Sequence, residues 1–229
     1  MDSIKGFILY VDILGYKDLL KNSDKKDRER VMNLLTQFTT IYYALDFNLG
    51  YGAAFEESKF FKRFFSDNFL FVYESSENDY MNLLRMQAIA SEIQTQFLRL
   101  GILTRGSITY GEIFHTDEIV FGCDLIKAVE LEGHPEPSIV VDEKFEKLLK
   151  DNGCEYQKHN SMFSVHGGSQ PDLEDILEGI QKWLGNLKKT VPDKGKIEKI
   201  QWVISRLNEH FSSLGKEYYL TVDYRLDKK

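Results

Sequence analysis

Two acidic residues set inside apolar runs are the residues of this chain best suited to chemistry. Asp12 closes the run Phe7-Ile8-Leu9-Tyr10-Val11 and is followed by Ile13-Leu14-Gly15-Tyr16. Asp67 interrupts Phe64-Phe65-Ser66-Asp67-Asn68-Phe69-Leu70-Phe71-Val72-Tyr73. A carboxylate among apolar side chains is costly unless something pairs with it. Two carboxylates side by side repel each other unless a divalent cation lies between them. That arrangement suits phosphoryl chemistry, in which two metal ions hold the attacking and leaving oxygens. Carboxylate oxygens are hard ligands and favour Mg²⁺ or Mn²⁺ over zinc. The plainer alternatives are that Asp12 caps a following helix and that Asp67 is an ordinary turn residue.

For the two carboxylates to act together, the strands that carry them must be neighbours. Residues 5–12 read as a buried strand, and Gly15 permits a tight turn into a helix over 16–22. The charged stretch 23–30 reads as a solvated connection or a helix N-terminus. Apolar residues then recur at helical spacing from Val31 to Leu45. Residues 47–58 read as a loop. Residues 59–65 and 68–74 read as two strands of a hairpin with Ser66-Asp67 at the junction. A long helix follows over 79–100, with Gly101 as its C-cap. Residues 102–109 form a strand that Gly111 turns, and 112–115 start the return. A helix over 122–132, a strand over 138–141, and a short helix capped by Asp142 and ending near Asn152-Gly153 come next. Residues 155–157 and 162–166 suggest a last hairpin. Two helices over 172–188 and 194–213 and an alternating strand over 217–224 complete the chain. The order predicts an α+β fold, a sheet covered by helices with a C-terminal helical addition.

The bulk composition narrows the function. A chain of 229 residues with 42% hydrophobic content, 16 Phe and 12 Tyr can build one aromatic-rich core. The net charge of −7 argues against nonspecific nucleic-acid binding, which needs a basic footprint. No run approaches the ~20 apolar residues of a membrane helix. The N-terminus lacks a signal-peptide layout, and Cys123 and Cys154 lack metal-site spacing, so a cytoplasmic protein with reduced cysteines is expected. There is no Gly-x4-Gly-Lys-Ser/Thr loop and no nucleophile-elbow signal. The five histidines are scattered. The pairs Phe60-Phe61 and Phe64-Phe65 read as core, with one ring available to stack on a base.

Three segments in this order resemble the class III nucleotide cyclases, over about residues 7–132 and more loosely to 166. Phe7–Tyr16 is similar to that family's first metal-binding strand and phosphate-binding turn. Phe64–Tyr73 is similar to its hairpin with the second metal-binding Asp, where the family usually has Gly-Asp and this chain has Ser66-Asp67. Gly101–Gly111 followed by Val120–Glu132 is similar to the strand, glycine turn and dimer-face helix. Within the family, the pattern Arg105-Gly106, Phe121-Gly122 and Ala128-Val129-Glu130-Leu131-Glu132 looks most like the stand-alone bacterial pyrimidine cyclases of the Pycsar antiphage system.

The resemblance implies a ferredoxin-like palm, an antiparallel sheet flanked by helices, over residues 1–168; the composition shift after Gly167-Gly168-Ser169 marks 169–229 as a helical extension with a terminal strand, expected to pack on the same domain. It implies conversion of UTP or CTP to the 3′,5′-cyclic monophosphate and pyrophosphate as a second messenger in antiphage defence. It also implies a homodimer with sites at the interface, Mn²⁺ (or Mg²⁺) with two ions per site, and a separate cyclic-nucleotide-sensing effector. Asp12 and Asp67 match the metal ligands, and Ile13 matches a position whose backbone carbonyl touches a metal. Leu14-Gly15-Tyr16 matches the segment whose amides hold the β- and γ-phosphates. Arg63 stands where purine cyclases often carry a base-reading Lys, and suits a pyrimidine carbonyl instead. Ile126 and Glu130 stand where purine cyclases have a ribose-positioning Asn and a transition-state Arg, and Ile119 stands at the base-reading Asp. Arg105, Lys127 and Lys17 are the candidates to supply the missing positive charge. The alternatives are an adenylate or guanylate cyclase, or a catalytically silent cyclase-like nucleotide-binding module.

Overall fold

The computed structural model describes residues 2–22, 24–38, 60–75, 79–116, 119–153, 179, 181 and 194–213. In chain order the elements are β1 (Asp2–Ile13), α1 (Tyr16–Asn22), α2 (Lys25–Phe38), β2 (Phe60–Phe65), β3 (Asn68–Glu74) and α3 (Asp79–Arg99). There follow β4 (Thr104–His115), β5 (Val120–Phe121), α4 (Cys123–Glu132), β6 (Ile139–Val141), α5 (Glu143–Asp151) and α6 (Lys194–Ser213). One sheet runs β2-β3-β1-β4-β5, and β6 pairs in parallel with β4. All other pairings are antiparallel. The fold is therefore α+β, an open sheet flanked by helices.

β1 is central because both its faces are covered, which its nearly unbroken apolar sequence anticipates. Side chains alternate across a strand. Phe7, Leu9, Val11 and Ile13 thus face one layer of helices, while Ile8, Tyr10 and Asp12 face the other side. The first layer comprises α2, α3 and α5. Phe38 meets Phe97 at 5.5 Å between ring centroids, Phe69 meets Phe97 at 5.8 Å, and Phe7 meets Phe145 edge-on at 5.8 Å. Each such ring taken from water is worth about 2–3 kcal/mol. In α6, Ile197, Val203 and Ile204 are buried.

The second face is covered over β4 by α4. Its spacing follows from elementary geometry. Four residues of helix advance ~6 Å, and two residues of strand advance ~6.7 Å. Asp124, Ala128 and Glu132 consequently fall opposite Thr109, Ser107 and Arg105. Thr109 Oγ1 donates to Asp124 O at 3.2 Å and Ser107 Oγ to Ala128 O at 2.6 Å. Arg105 Nε donates to Glu132 Oε1 at 2.5 Å.

Several sequence expectations change here. Gly111 does not turn the chain, and β4 runs through it in register with Gly6. The glycine instead makes room for α4, since a Cβ at 111 would lie 1.9 Å from Asp124 Cγ. Burial alone would raise the Asp124 carboxyl, but the Glu112 amide and Lys144 hold it below its ordinary value. α2 begins at Lys25, so the charged stretch is its first turn. Phe60 and Phe64 join the main core, Phe61 packs on the opposite face, and Phe65 is 81% exposed at the hairpin tip. Asp142 caps its helix as expected, accepting from Phe145 N at 2.8 Å. The suggested hairpin over 155–157 and 162–166, the loop over 47–58 and the strand over 217–224 lie outside the described residues, as does all but residues 179 and 181 of the helix over 172–188.

Candidate active site

Asp12 occupies the last position of β1 that faces the α4 side. Its main-chain partners are Asn68 on β3 and Arg105 on β4. Asp67 precedes Asn68 in the two-residue loop between β2 and β3. Ser66, the first loop residue, has φ 58°, and Asp67 does not have positive φ. This is the φ pattern of a type II′ turn, which matches strand twist and favours glycine at the first position. The loop is tied to β1 through the main chain, because Ile13 N donates to Asp67 O at 2.9 Å. Leu14 N donates to Leu103 O at 2.9 Å, which fixes the exit from β1. Gly15 then adopts φ 75° and delivers the chain into α1. A Cβ there would meet open space, so the left-handed backbone alone calls for glycine.

The two carboxylates, far apart in sequence, thus converge at one end of the sheet. Asp12 is half-buried, and its carboxyl is raised from 3.8 to about 6. Burial is the largest cause, followed by the negative charges of Glu132 and Asp67; Arg105 and Lys199 act in the opposite direction. Tyr10, two residues earlier on the same face, is also pushed up by burial and then by Glu132, Asp12 and Asp67, so its phenol stays protonated. Tyr10 Oη donates to Asn68 Oδ1 at 2.6 Å, and Asn68 Nδ2 donates to Asp67 Oδ1 at 3.2 Å.

This is an all-oxygen donor set with an excess of negative charge, and both properties suit a hard divalent cation. Asp12, Asp67 and the main-chain carbonyl of Ile13 are the groups that could hold one. Among the described residues no group of three or more His, Cys, Asp or Glu side chains is placed to hold a metal. An ion at this site would therefore draw its remaining ligands from water and substrate, as Mg²⁺ commonly does.

The other sequence candidates fall in different places. Arg105 shares the rank of Asp12, but its guanidinium is engaged by Glu132 and by the carbonyl of His134 at 2.8 Å. Lys127 is bound to the buried carboxylate of Asp142 at 2.8 Å, which raises its pKa. Arg63 lies two strands from Asp12, its guanidinium laid 4.4 Å over the Phe61 ring and donating to the carbonyls of Lys62 and Thr116. Tyr16 packs against the main core, Leu14 is half-buried, and Lys17 is exposed on α1. Sequence reasoning missed Tyr10, Asn68, Glu132 and Lys199. The period of two marks Tyr10 as sharing a face with Asp12; the others depend on strand register and helix docking.

No family model matches the chain, and no curated protein matches it. Solved structures of similar arrangement include the guanylyl cyclase Cya2, at 17% identity over 64% of this chain and 78% of that one, with a TM-score of 0.41. A bacterial light-regulated adenylyl cyclase is similar at 15% identity over 66% of this chain and 81% of that one, with a TM-score of 0.45. An adenylate/guanylate cyclase/hydrolase from Silicibacter pomeroyi is similar at 19% identity over 66% of this chain and 82% of that one, with a TM-score of 0.44. Each is a likeness at low identity and limited superposition, and the activities in those names belong to those proteins.

Proposed function

We propose that this chain is a divalent-metal-dependent nucleotide cyclase, and that its substrate is a pyrimidine nucleoside triphosphate, UTP or CTP. The observation that carries the reading is the convergence of Asp12 and Asp67 at the end of the β1–β3 pair, locked by the bond from Ile13 N to Asp67 O. In the reaction the ribose 3′-oxygen bonds to the α-phosphorus, the bond from that phosphorus to the bridging oxygen breaks, and pyrophosphate leaves. The hydroxyl proton passes to solvent. Two bound Mn²⁺ or Mg²⁺ ions would supply a lowered hydroxyl pKa and neutralise charge on the triphosphate.

The chain's own share is positioning. Asp12 and Asp67 would hold the ions, with the Ile13 carbonyl, and the amides of Gly15 and Tyr16 would meet the phosphates; the amide of Leu14, which the resemblance adds to that set, is instead spent on the carbonyl of Leu103. Arg105 shares the rank of Asp12 but is held by Glu132 and the His134 carbonyl, and Lys127 is held by Asp142, so either would have to exchange its present partner to meet the triphosphate. Pyrimidine preference is supported by Ile119, Ile126 and Glu130, none of which does the work of the purine-reading and ribose-holding residues they replace. Ile119, Phe121, Ile126 and Val129 are exposed apolar residues of α4 and the β5 segment, which supports a homodimer through that face. A cyclic pyrimidine product fits a second messenger in antiphage defence, read by a separate effector.

Offering ATP, GTP, UTP and CTP separately with Mn²⁺, and reading product mass and pyrophosphate, tests this. A cyclic pyrimidine monophosphate is expected. Efficient cyclisation of ATP or GTP overturns the pyrimidine assignment, and pyrophosphate from none of the four makes the chain a silent nucleotide-binding module.

A further inference from the structure

We propose that Asn68 and Tyr10 are positioning residues for the second carboxylate: a hydrogen-bonded chain from Tyr10 through Asn68 sets the side chain of Asp67 for a divalent cation before any cation arrives. The proposal rests on the metal-binding reading of the site and extends it to residues that do not touch the ion.

Asp67 stands on a two-residue loop, and the main-chain bond from Ile13 N fixes its backbone but not its carboxylate. A loop-tip side chain free to rotate would lose conformational entropy on gripping an ion. Asn68 removes that freedom. It is the main-chain partner of Asp12 across β1–β3 and shares the face of Tyr10 and Asp12. Its Nδ2 lies 3.2 Å from Asp67 Oδ1, and its Oδ1 lies 2.6 Å from Tyr10 Oη.

The polarity of this chain follows from the groups themselves. An ionised carboxylate only accepts hydrogen bonds, so the amide nitrogen of Asn68 must face Asp67. The amide oxygen must then face Tyr10, and the phenol must donate. Reversing the amide would set oxygen against oxygen at Asp67. Tyr10 thereby fixes the amide orientation, and the amide fixes the carboxylate. The carboxylate has about four lone-pair sites and spends one on Asn68, leaving the rest for a cation. Hydrogen-bonded groups behind a metal ligand typically change metal affinity about 10–100-fold when removed.

The test is Mn²⁺ binding to the full chain by titration calorimetry, for wild type, Tyr10→Phe, Asn68→Ala, the double variant and Asp67→Asn. Tyr10→Phe keeps the ring and removes only the hydroxyl, and a thermal melt verifies that each variant is folded. Tyr10→Phe is expected to bind Mn²⁺ about 2–10-fold more weakly, the loss of one hydrogen bond. Asn68→Ala is expected to lose about tenfold or more. The double variant is expected to bind no more weakly than Asn68→Ala, because Tyr10 acts only through Asn68. In turnover assays, excess Mn²⁺ should restore kcat in Tyr10→Phe with the triphosphate KM unchanged, which a merely structural role would not produce. Wild-type affinity in both single variants, with binding lost in Asp67→Asn, overturns this proposal alone. Additive losses in the double variant overturn the relay. No binding by wild type, or unchanged binding in Asp67→Asn, overturns the metal reading and this proposal with it.

Discussion

Replacing Asp12 by Asn should make the metal-free protein more stable at neutral pH. The Asp12 carboxyl is raised from 3.8 to about 6 in the folded state, chiefly by burial and then by Glu132 and Asp67. At 1.36 kcal/mol per pH unit that difference corresponds to about 3 kcal/mol. The carboxyl is half in contact with water, and screening leaves roughly half, about 1.5 kcal/mol. Because the folded-state value is the higher one, the folded form binds the proton more tightly than the unfolded chain. Its stabilising contribution is complete below about pH 4, is lost as pH rises to about 6, and is absent above that. Asn imitates the protonated acid at every pH. Urea unfolding in the presence of a chelator should therefore show Asp12→Asn about 1.5 kcal/mol more stable than wild type at pH 7.5, with the gap closing towards pH 4. Added Mn²⁺ should reverse the order, stabilising wild type and not the variant. A variant less stable than wild type in chelator at pH 7.5 would refute the reasoning, since Asp12 would then be a satisfied structural carboxylate.

Three further perturbations probe the frame around the site. Gly111→Ala drives a methyl into the Asp124 carboxyl, 1.9 Å from its Cγ, and should cost about 1–3 kcal/mol in urea unfolding. Asp142→Ala removes both the cap on Phe145 N and the partner of Lys127, and should cost about 2 kcal/mol or more by the same measurement. If the proposed homodimer forms through the exposed apolar face of α4, the charge placed there by Ile126→Glu should leave the variant monomeric in sedimentation where wild type sediments as a dimer, without loss of helix content; a wild-type monomer would contradict that proposal.

What the sequence reveals and what it hides follow from the range of the interactions involved. β1, the β2–β3 hairpin, α3 and the Asp142 cap are legible because local patterns set them: an apolar run, two short aromatic-rich segments on either side of Ser66-Asp67, a long helical period and a capping side chain. Asp12 and Asp67 stand out because a charge inside an apolar run is conspicuous. Gly111 is misread because the reason for the glycine is Asp124 on a helix that docks later in the chain. Glu132 reads as an ordinary helix end until the helix and strand rises are matched, which sets it against Arg105 and within electrostatic range of Asp12. Asn68 and Tyr10 lie 58 residues apart, and only the β1–β3 register joins them. Phe65 looks like core by composition, yet the alternation that buries Phe64 turns it outward at the hairpin tip.

The most direct measurement is the mass of the product formed from UTP or CTP with Mn²⁺ by the wild-type chain, beside Asp12→Ala and Asp67→Ala. A pair of carboxylates holding ions against a triphosphate predicts a cyclic pyrimidine monophosphate from wild type and none from either variant, with both variants still folded by circular dichroism. Undiminished turnover in either variant would contradict the paired-carboxylate site.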